Sequence, residues 1–254
     1  GDWKLVFSAF EATAFATLSS GSGTFTVPDQ ANAIHIQFAV GAGGGGFRGA
    51  SYDKAGGESA GAGGGSGGYI SDKILTVSSG ETISYSVGSG GAANNAASDR
   101  YSGSSSAGTN TTLSGSSTGS LFTLNGGGGG SSAGGGVQGP LRSNTAGSAG
   151  SHSISGTAIT SGNFRDSDGT TKAVTTNTSG PTGTFNDSGN GAAGANPGNC
   201  SGDNCQIGGG TGGASYDGNV SGGAGSAQYG TENTTAAGAS GGNGEIKYRF
   251  LKVN

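Results

Sequence analysis

Two histidines, two cysteines and a thin scatter of carboxylates are the groups whose type and spacing could support chemistry in this chain. Gly64-Gly65-Ser66-Gly67-Gly68 satisfies the G-x-S-x-G pattern of a serine nucleophile. A nucleophile elbow needs a strand-to-helix turn and a histidine that closes a triad. His35 sits within an apolar alternation and reads as structural or solvent-facing. His152, in "AGSHSISG", reads as a loop residue without a partner. Asp166 and Asp168 before Gly169 resemble the start of a calcium loop, but Asn177 stands where the twelfth-position glutamate belongs. A turn is the better reading. Cys200 and Cys205 are spaced Cys-x4-Cys. Two thiols cannot close a zinc site alone. They suit a small disulfide loop in an oxidising setting, with two free thiols as the alternative. The six Asn-x-Ser/Thr sequons, at Asn110, Asn177, Asn186, Asn199, Asn219 and Asn233, follow from a chain rich in Ser and Thr and carry no argument for glycosylation. No constellation of acid, base and nucleophile converges, so the expectation is no enzyme, no metal and no cofactor.

Bulk composition narrows the class further. Glycine supplies 60 of 254 residues, against a usual level of about 7%. Leu, Ile, Val and Phe together number only 36, well short of an ordinary apolar core. Yet the net charge is −4 and charged residues are 10%, so this is no charge-repelled coil. A fold built from this chain must rest largely on backbone hydrogen bonds. The pI of about 5.0 and the scattered Lys and Arg argue against nucleic acid. No stretch approaches the roughly 18 apolar residues of a membrane span. Asp2 and Glu11 break the N-terminal apolar region, so it does not read as a signal peptide. A first residue of Gly1 and no methionine suggest a processed product or a fragment.

The elements that must position any site are strands. "GTFTVP" alternates Phe25 and Val27 against threonines. "AIHIQFAV" places Ile34, Ile36, Phe38 and Val40 on one face and His35 and Gln37 on the other. "YISDKILTV", "SSGE" and "TISYSVG" read as a β-hairpin, with Ile83, Tyr85 and Val87 on one face. "SLFTL" at 120–124 is a short candidate. "EIKYRFLKV" alternates Ile246, Tyr248 and Phe250 against Lys247 and Arg249 and closes the chain. Residues 1–22 hold the lone Trp3 with Phe7, Phe10 and Phe15 and read as an attachment or packing segment. Residues 23–254 form the glycine-rich domain, with strands within 23–91 and 245–254 and a glycine-rich body over 92–244.

Between the strands come runs such as "GAGGG" at 61–65 and "GGGGG" at 126–130. A flexible linker would not return repeatedly between strong strands. A polyproline II type helix has three residues per turn and no internal hydrogen bonds, so its N–H and C=O groups point outward. Side by side, such helices can bond to one another where no Cβ blocks the approach. Collagen needs glycine at every third position, and no such period exists here. A helix surrounded by others needs glycine on several sides, hence runs. The fold class expected is mainly β with irregular structure. A small antiparallel sheet frames a bundle of polyglycine II helices, with almost no α-helix.

This order resembles a known family. "GTFTVP", an Ile-rich strand entering "GAGGGG", then "GGY…LTVSSGETISYSVGSGG" and a terminal "GGNGEIKYRF" are similar to the glycine-rich distal domains of bacteriophage tail fibres, the T-even-type tail-fibre adhesins. The resemblance spans most of 23–254. It implies a rigid sandwich of polyglycine II helices at a fibre tip, virion-borne and extracellular. Its joining loops would touch an outer-membrane protein or a surface polysaccharide of the host bacterium. The large or charged residues between glycine blocks are then the receptor candidates: Phe47, Arg48 and Tyr52; Arg100 and Tyr101; Arg142; Phe164 and Arg165; Tyr216; and Tyr229. Aromatic and Arg side chains are the usual anchors of an interface. Alternatively they plug the ends of a scaffold that has little else apolar. Residues 1–22 would join the fibre shaft, whose trimeric symmetry allows a homotrimer or a monomeric tip.

Two rival functions are open. A purely structural fibre cap or spacer would use Trp3 and the three Phe for docking. An ice-binding protein is expected to show a flat, regular face of small residues and a strict short repeat, and the irregular loops speak against it.

Overall fold

The computed structural model describes residues 10–46, 49–50, 62–94, 103–132, 144–174, 188–189, 235–236 and 238–254. Among these there is no helix. In chain order the strands are β1 (Ala16–Leu18), β2 (Ser22–Thr26), β3 (Ala33–Val40), β4 (Gly49–Ala50), β5 (Tyr69–Thr76), β6 (Thr82–Ser86), β7 (Gly103–Ser104), β8 (Thr111–Gly115) and β9 (Gly119–Leu124). They continue with β10 (Ser131–Ser132), β11 (Asn144–Thr145), β12 (His152–Ile154), β13 (Asn163–Arg165), β14 (Thr171–Ala173), β15 (Ser188–Gly189), β16 (Thr235–Ala236) and β17 (Glu245–Leu251). Two five-stranded antiparallel sheets carry the fold, in the orders β1-β17-β3-β5-β15 and β12-β9-β8-β6-β2.

One core unites the two sheets. Ile34, Ile36, Ile70 and Ile246 from the first join Ile83, Leu113, Phe122 and Leu124 from the second. Phe25 stacks on Tyr248 at 4.7 Å between ring centroids and meets Phe250 edge-on at 5.9 Å. These few side chains use nearly all the large apolar residues of the alternating strands, so the sandwich is thin but closed.

Glycine takes over where the strands end. Segments 41–46, 87–94 and 125–130 continue β3, β6 and β9 outward, and segments 62–68, 105–110, 146–151 and 238–244 lead into β5, β8, β12 and β17. The lateral bonds repeat every third residue. Gly41 and Gly44 donate to Gly68 and Gly65, and Gly43 and Gly46 donate to Gly242 and Ala239. Gly91 and Asn94 donate to the carbonyls of Gly43 and Gly46, and Gly127 and Gly130 donate to those of Ala42 and Gly45. With Gly45 donating to Ser106, segment 41–46 bonds five other segments. A β-strand bonds at most two neighbours, so this is a polyglycine II bundle with a three-residue turn. A Cβ on Gly44 would lie 2.0 Å from the Gly128 carbonyl oxygen, and one on Gly127 would lie 1.9 Å from that of Gly65. Both neighbours are backbone and cannot step aside.

Three features differ from the sequence reading. The segments 69–76 and 82–86 are not a hairpin: β5 pairs with β3 in the first sheet and β6 with β2 and β8 in the second. Residues 77–81 are an arch between sheets. Glu81 fastens it, accepting N–H bonds from Ser78 at 2.7 Å, Ser117 at 3.0 Å and Thr118 at 3.1 Å. Burial alone would push the Glu81 carboxyl up, but these donors hold it below its ordinary value. The second difference is in β3, where the register shifts between Lys247 and Tyr248 and Gln37 is skipped. Ala39 therefore enters the core in place of Phe38, whose ring lies 6.0 Å from Lys247 Nζ. Third, strands β8 and β12, which the sequence reading did not pick out, flank β9 on the short candidate at 120–124 and complete the second sheet.

Gly44→Ala forces a methyl into the backbone of segment 125–130 and should cost about 3 kcal/mol or more of unfolding free energy. Gly80 has φ of 76° and open space around a built Cβ, so Gly80→Ala should cost only about 1–2 kcal/mol of left-handed strain. Urea unfolding of the two variants reads the difference; equal costs would refute a bundle held by close backbone approach.

Candidate functional site

Most of the sequence-selected receptor residues, Phe47, Arg48, Tyr52, Arg100, Tyr101, Arg142, Tyr216 and Tyr229, lie outside the described residues, as do Cys200 and Cys205. Phe164 and Arg165 are described; Phe164 is buried and Arg165 is exposed. Phe164, on β13, is 6% exposed and packs with Ala12, Ala33, Val174 and Leu251 against the outer face of the first sheet. Arg165 is half-exposed and pairs with Glu11, Nε to Oε1 at 2.9 Å. The plugging alternative describes Phe164. The cause is a hairpin, β13 with β14, that folds back over the first sheet. Ser66 lies buried inside a glycine segment with no helix after it, which is not the setting of a nucleophile elbow.

That outer face holds a chain of charge. Arg249 and His35 are register partners on β17 and β3. Arg249 Nε donates to His35 Nδ1 at 3.2 Å, and His35 Nε2 donates to Asp72 Oδ1 at 2.7 Å. Arg249 Nη1 donates to Asp166 Oδ1 at 2.6 Å, while Lys172 Nζ bonds Asp166 Oδ2. Phe15 lies over the Arg249 guanidinium, 4.5 Å from its centroid to Cζ. Both ring nitrogens of His35 are occupied, so the geometry assigns the neutral Nε2–H tautomer. The Lys172 ammonium, followed by Ser167 and Arg249, holds the Asp166 carboxyl far below its ordinary value against the opposing effect of burial. The His35 hydrogen bond likewise lowers Asp72. Asp166 and Asp168 belong to the β13–β14 turn, where Asp168 accepts from Thr170 and Gly169 takes a φ of 80°. These bonds fasten the β13–β14 hairpin and β5 to the strands of the first sheet. The segment 10–18 is tied in the same way, through β1 on β17 and Thr13 N–H to the Phe250 carbonyl at 3.0 Å.

The outer face of the second sheet is different in kind. Register places Ser22, Ser86, Thr112, Thr123 and Ser153 in one row across all five strands. Thr24, Ser84, Ser114 and Ser120 form the next row, and Thr26 and Thr82 a third. Each is exposed or half-buried, and no charged or aromatic residue interrupts the rows. The signal was present in "TFT", "TISYS" and "TLS", where every second residue is a hydroxyl. Only the pairing of distant strands turns those alternations into a lattice.

Among the described residues the fold is a double-layered β-sandwich whose strands run on into a polyglycine II bundle, with one outer face strapped and no described segment across the other. The chain is matched by the glycine-rich domain family over residues 17–251 and belongs to that family. No curated protein matches it significantly.

Asp166→Asn should cost about 3–5 kcal/mol at neutral pH, since it leaves Arg249 buried with half of its partners. The Asp166 carboxyl is depressed in the folded state, so its contribution is full above its unfolded value of about 4 and fades as pH falls further. The gap between wild type and Asp166→Asn in unfolding free energy should therefore narrow below about pH 4. A gap independent of pH would sink the ion-pair account.

Proposed function

We propose that the chain is the receptor-binding tip domain of a phage, or phage-like, tail fibre. The reading rests on one observation above the others. Segments 41–46, 87–94 and 125–130 all leave the sandwich in the same direction, and 62–68, 105–110 and 146–151 return from it. Three stretches between these pairs, 47–61, 95–102 and 133–143, carry Phe47, Arg48, Tyr52, Arg100, Tyr101 and Arg142. A bundle whose groups are bonded on several sides is a stiff base, and stiffness lowers the ordering cost of contact. Attachment needs no bond made or broken. Several copies on one particle would add avidity. Residues 1–22 would join the shaft, and an outer-membrane protein or a surface polysaccharide would be the receptor.

The test is binding of the labelled chain to a panel of Gram-negative cells, with protease treatment and lipopolysaccharide truncations. Strain-selective binding is the expected outcome. Loss on protease treatment would identify a protein receptor, and loss on sugar truncation a polysaccharide. A folded chain that binds no strain in the panel overturns the reading in favour of a structural cap.

A further inference from the structure

We propose that β2 is the pairing edge of a two-fold dimer, in which a second copy of this chain adds its own β2 antiparallel. β2 is the last strand of the second sheet, and no described strand lies on its outer side. The Gly21 carbonyl accepts from Val87 and the Val27 N–H donates to the Glu81 carbonyl, so the odd residues of this stretch bond toward β6. Alternation then aims the N–H and C=O groups of Ser22, Thr24 and Thr26 outward. All three residues are exposed. An unpaired edge is a template for another strand, and a chain that must stay single blunts it with charge, Pro or a bulge. Here the β2–β6 ladder has no register shift, and residues 12–28 contain no charged side chain. Pro28 lies just past the strand and only sets where the edge stops.

Self-complementarity identifies the occupant. A two-fold contact sets each residue against its symmetric counterpart. With Thr24 on the axis, Ser22 faces Thr26, Thr24 faces Thr24 and Thr26 faces Ser22, and each of these pairs exchanges both of its N–H···O=C bonds. No other symmetric register uses all the outward groups. The intervening pairs set Phe25 of each copy opposite Gly23 of the other. Phe25 is half-buried at the rim of the core, stacked on Tyr248. Gly23 has no side chain to block that approach, and the Tyr85 ring leans over it, with Oη 3.0 Å from a built Cβ. An aromatic ring across from an edge glycine is a stabilising cross-strand pair. Because the edge is neutral, a copy meets no like charge. The second layer matches as well. β1, the end strand of the first sheet, is joined to β2 by residues 19–21 and lies on the same side of the sandwich, with Ala16 and Thr17 exposed. The contact is about 17 Å long and two layers deep, well under the roughly 800 Å² per partner of a standard interface. The dimer is therefore weak and reversible, and its two glycine bundles point away from each other.

The contact is made at the side of the sandwich, so it stands or falls separately from attachment to a cell. The experiment is sedimentation equilibrium of the full chain over a range of concentrations, with amide exchange followed at the same concentrations. Mass should rise from one chain toward two, and exchange at Ser22, Thr24 and Thr26 should slow as it does. Thr24→Lys and Thr24→Glu each set like charge against like on the axis and should weaken association by about tenfold or more. Mixed in equal amounts the two variants should associate again, because position 24 meets only itself. Thr171→Lys, on β14 and away from the edge, should leave the dimer unchanged. Circular dichroism and the unfolding midpoint establish that the variants remain folded. A chain that stays single up to about 1 mM, the weak end of specific binding, overturns the proposal. So does association that both position-24 variants retain, or a mixture of them that stays apart. Mass rising to three chains overturns it in favour of a trimer. Slow exchange of the three amides in a chain that stays single overturns it in favour of another segment of the same chain on the edge.

Discussion

Close approach of backbone to backbone, with no Cβ between, is the constraint on which this structure depends. A buried N–H or C=O must be bonded. Sheets solve that problem in two directions, and side chains fill the third. In the bundle the third direction is also backbone. Segment 41–46 gives and receives bonds on five sides, which is possible only because its residues are Gly apart from Ala42. The glycine content is therefore the condition for cohesion in a chain with too few large side chains to cohere otherwise.

Glycine alone would not assemble this way. Each glycine residue loses more backbone freedom on ordering than any other residue, and the segments carry few side chains to choose their neighbours. The sandwich supplies the choice. Seven segments are rooted in seven strands whose pairing is set by ordinary apolar alternation. Once β3 sits between β17 and β5, segment 41–46 starts next to 238–244 and 62–68 and meets them in register. The apolar core is small, yet it fixes the arrangement of a much larger body. Glu81 works at the opposite end, where one carboxylate ties the arch between sheets to the β8–β9 turn.

What could be read from the sequence follows the range of the forces involved. The alternations in 33–40, 82–87 and 245–251 report directly on strands, because burial of every second residue is local information. The three-residue bond period was legible as a type of helix, since glycine runs leave few other ways to satisfy a backbone. The partner of a strand was not. "SSGE" is a good turn between two strands, and nothing local says whether the second strand returns beside the first or crosses to another sheet. The skipped Gln37 is likewise invisible, because it arises from a register shift against Lys247 and Tyr248, some 200 residues away. Phe164 looked like an exposed anchor for the same reason. Its burial depends on a hairpin packing across Ala12 and Leu251 from the two ends of the chain.

The two outer faces show how one sandwich can separate holding from presenting. On the first sheet the chain uses its own ends, segment 10–18 and residues 252–254, together with the β13–β14 hairpin, to cover the surface. Covering it brings Arg249 and Asp166 to about a tenth exposed, a placement that is tolerable only because each charge has a partner and each partner is bonded again. That face is committed: removing any member strands another. On the second sheet no described segment crosses, and the side chains are ones that cost little whether wet or bonded. A chain short of large residues gains most by spending its aromatic and charged groups where they are buried in pairs. The exposed face is then left to Ser and Thr, which keep β-structure without inviting nonspecific association. The bareness of that face and the crowding of the other are two consequences of the same scarcity that makes the glycine bundle necessary.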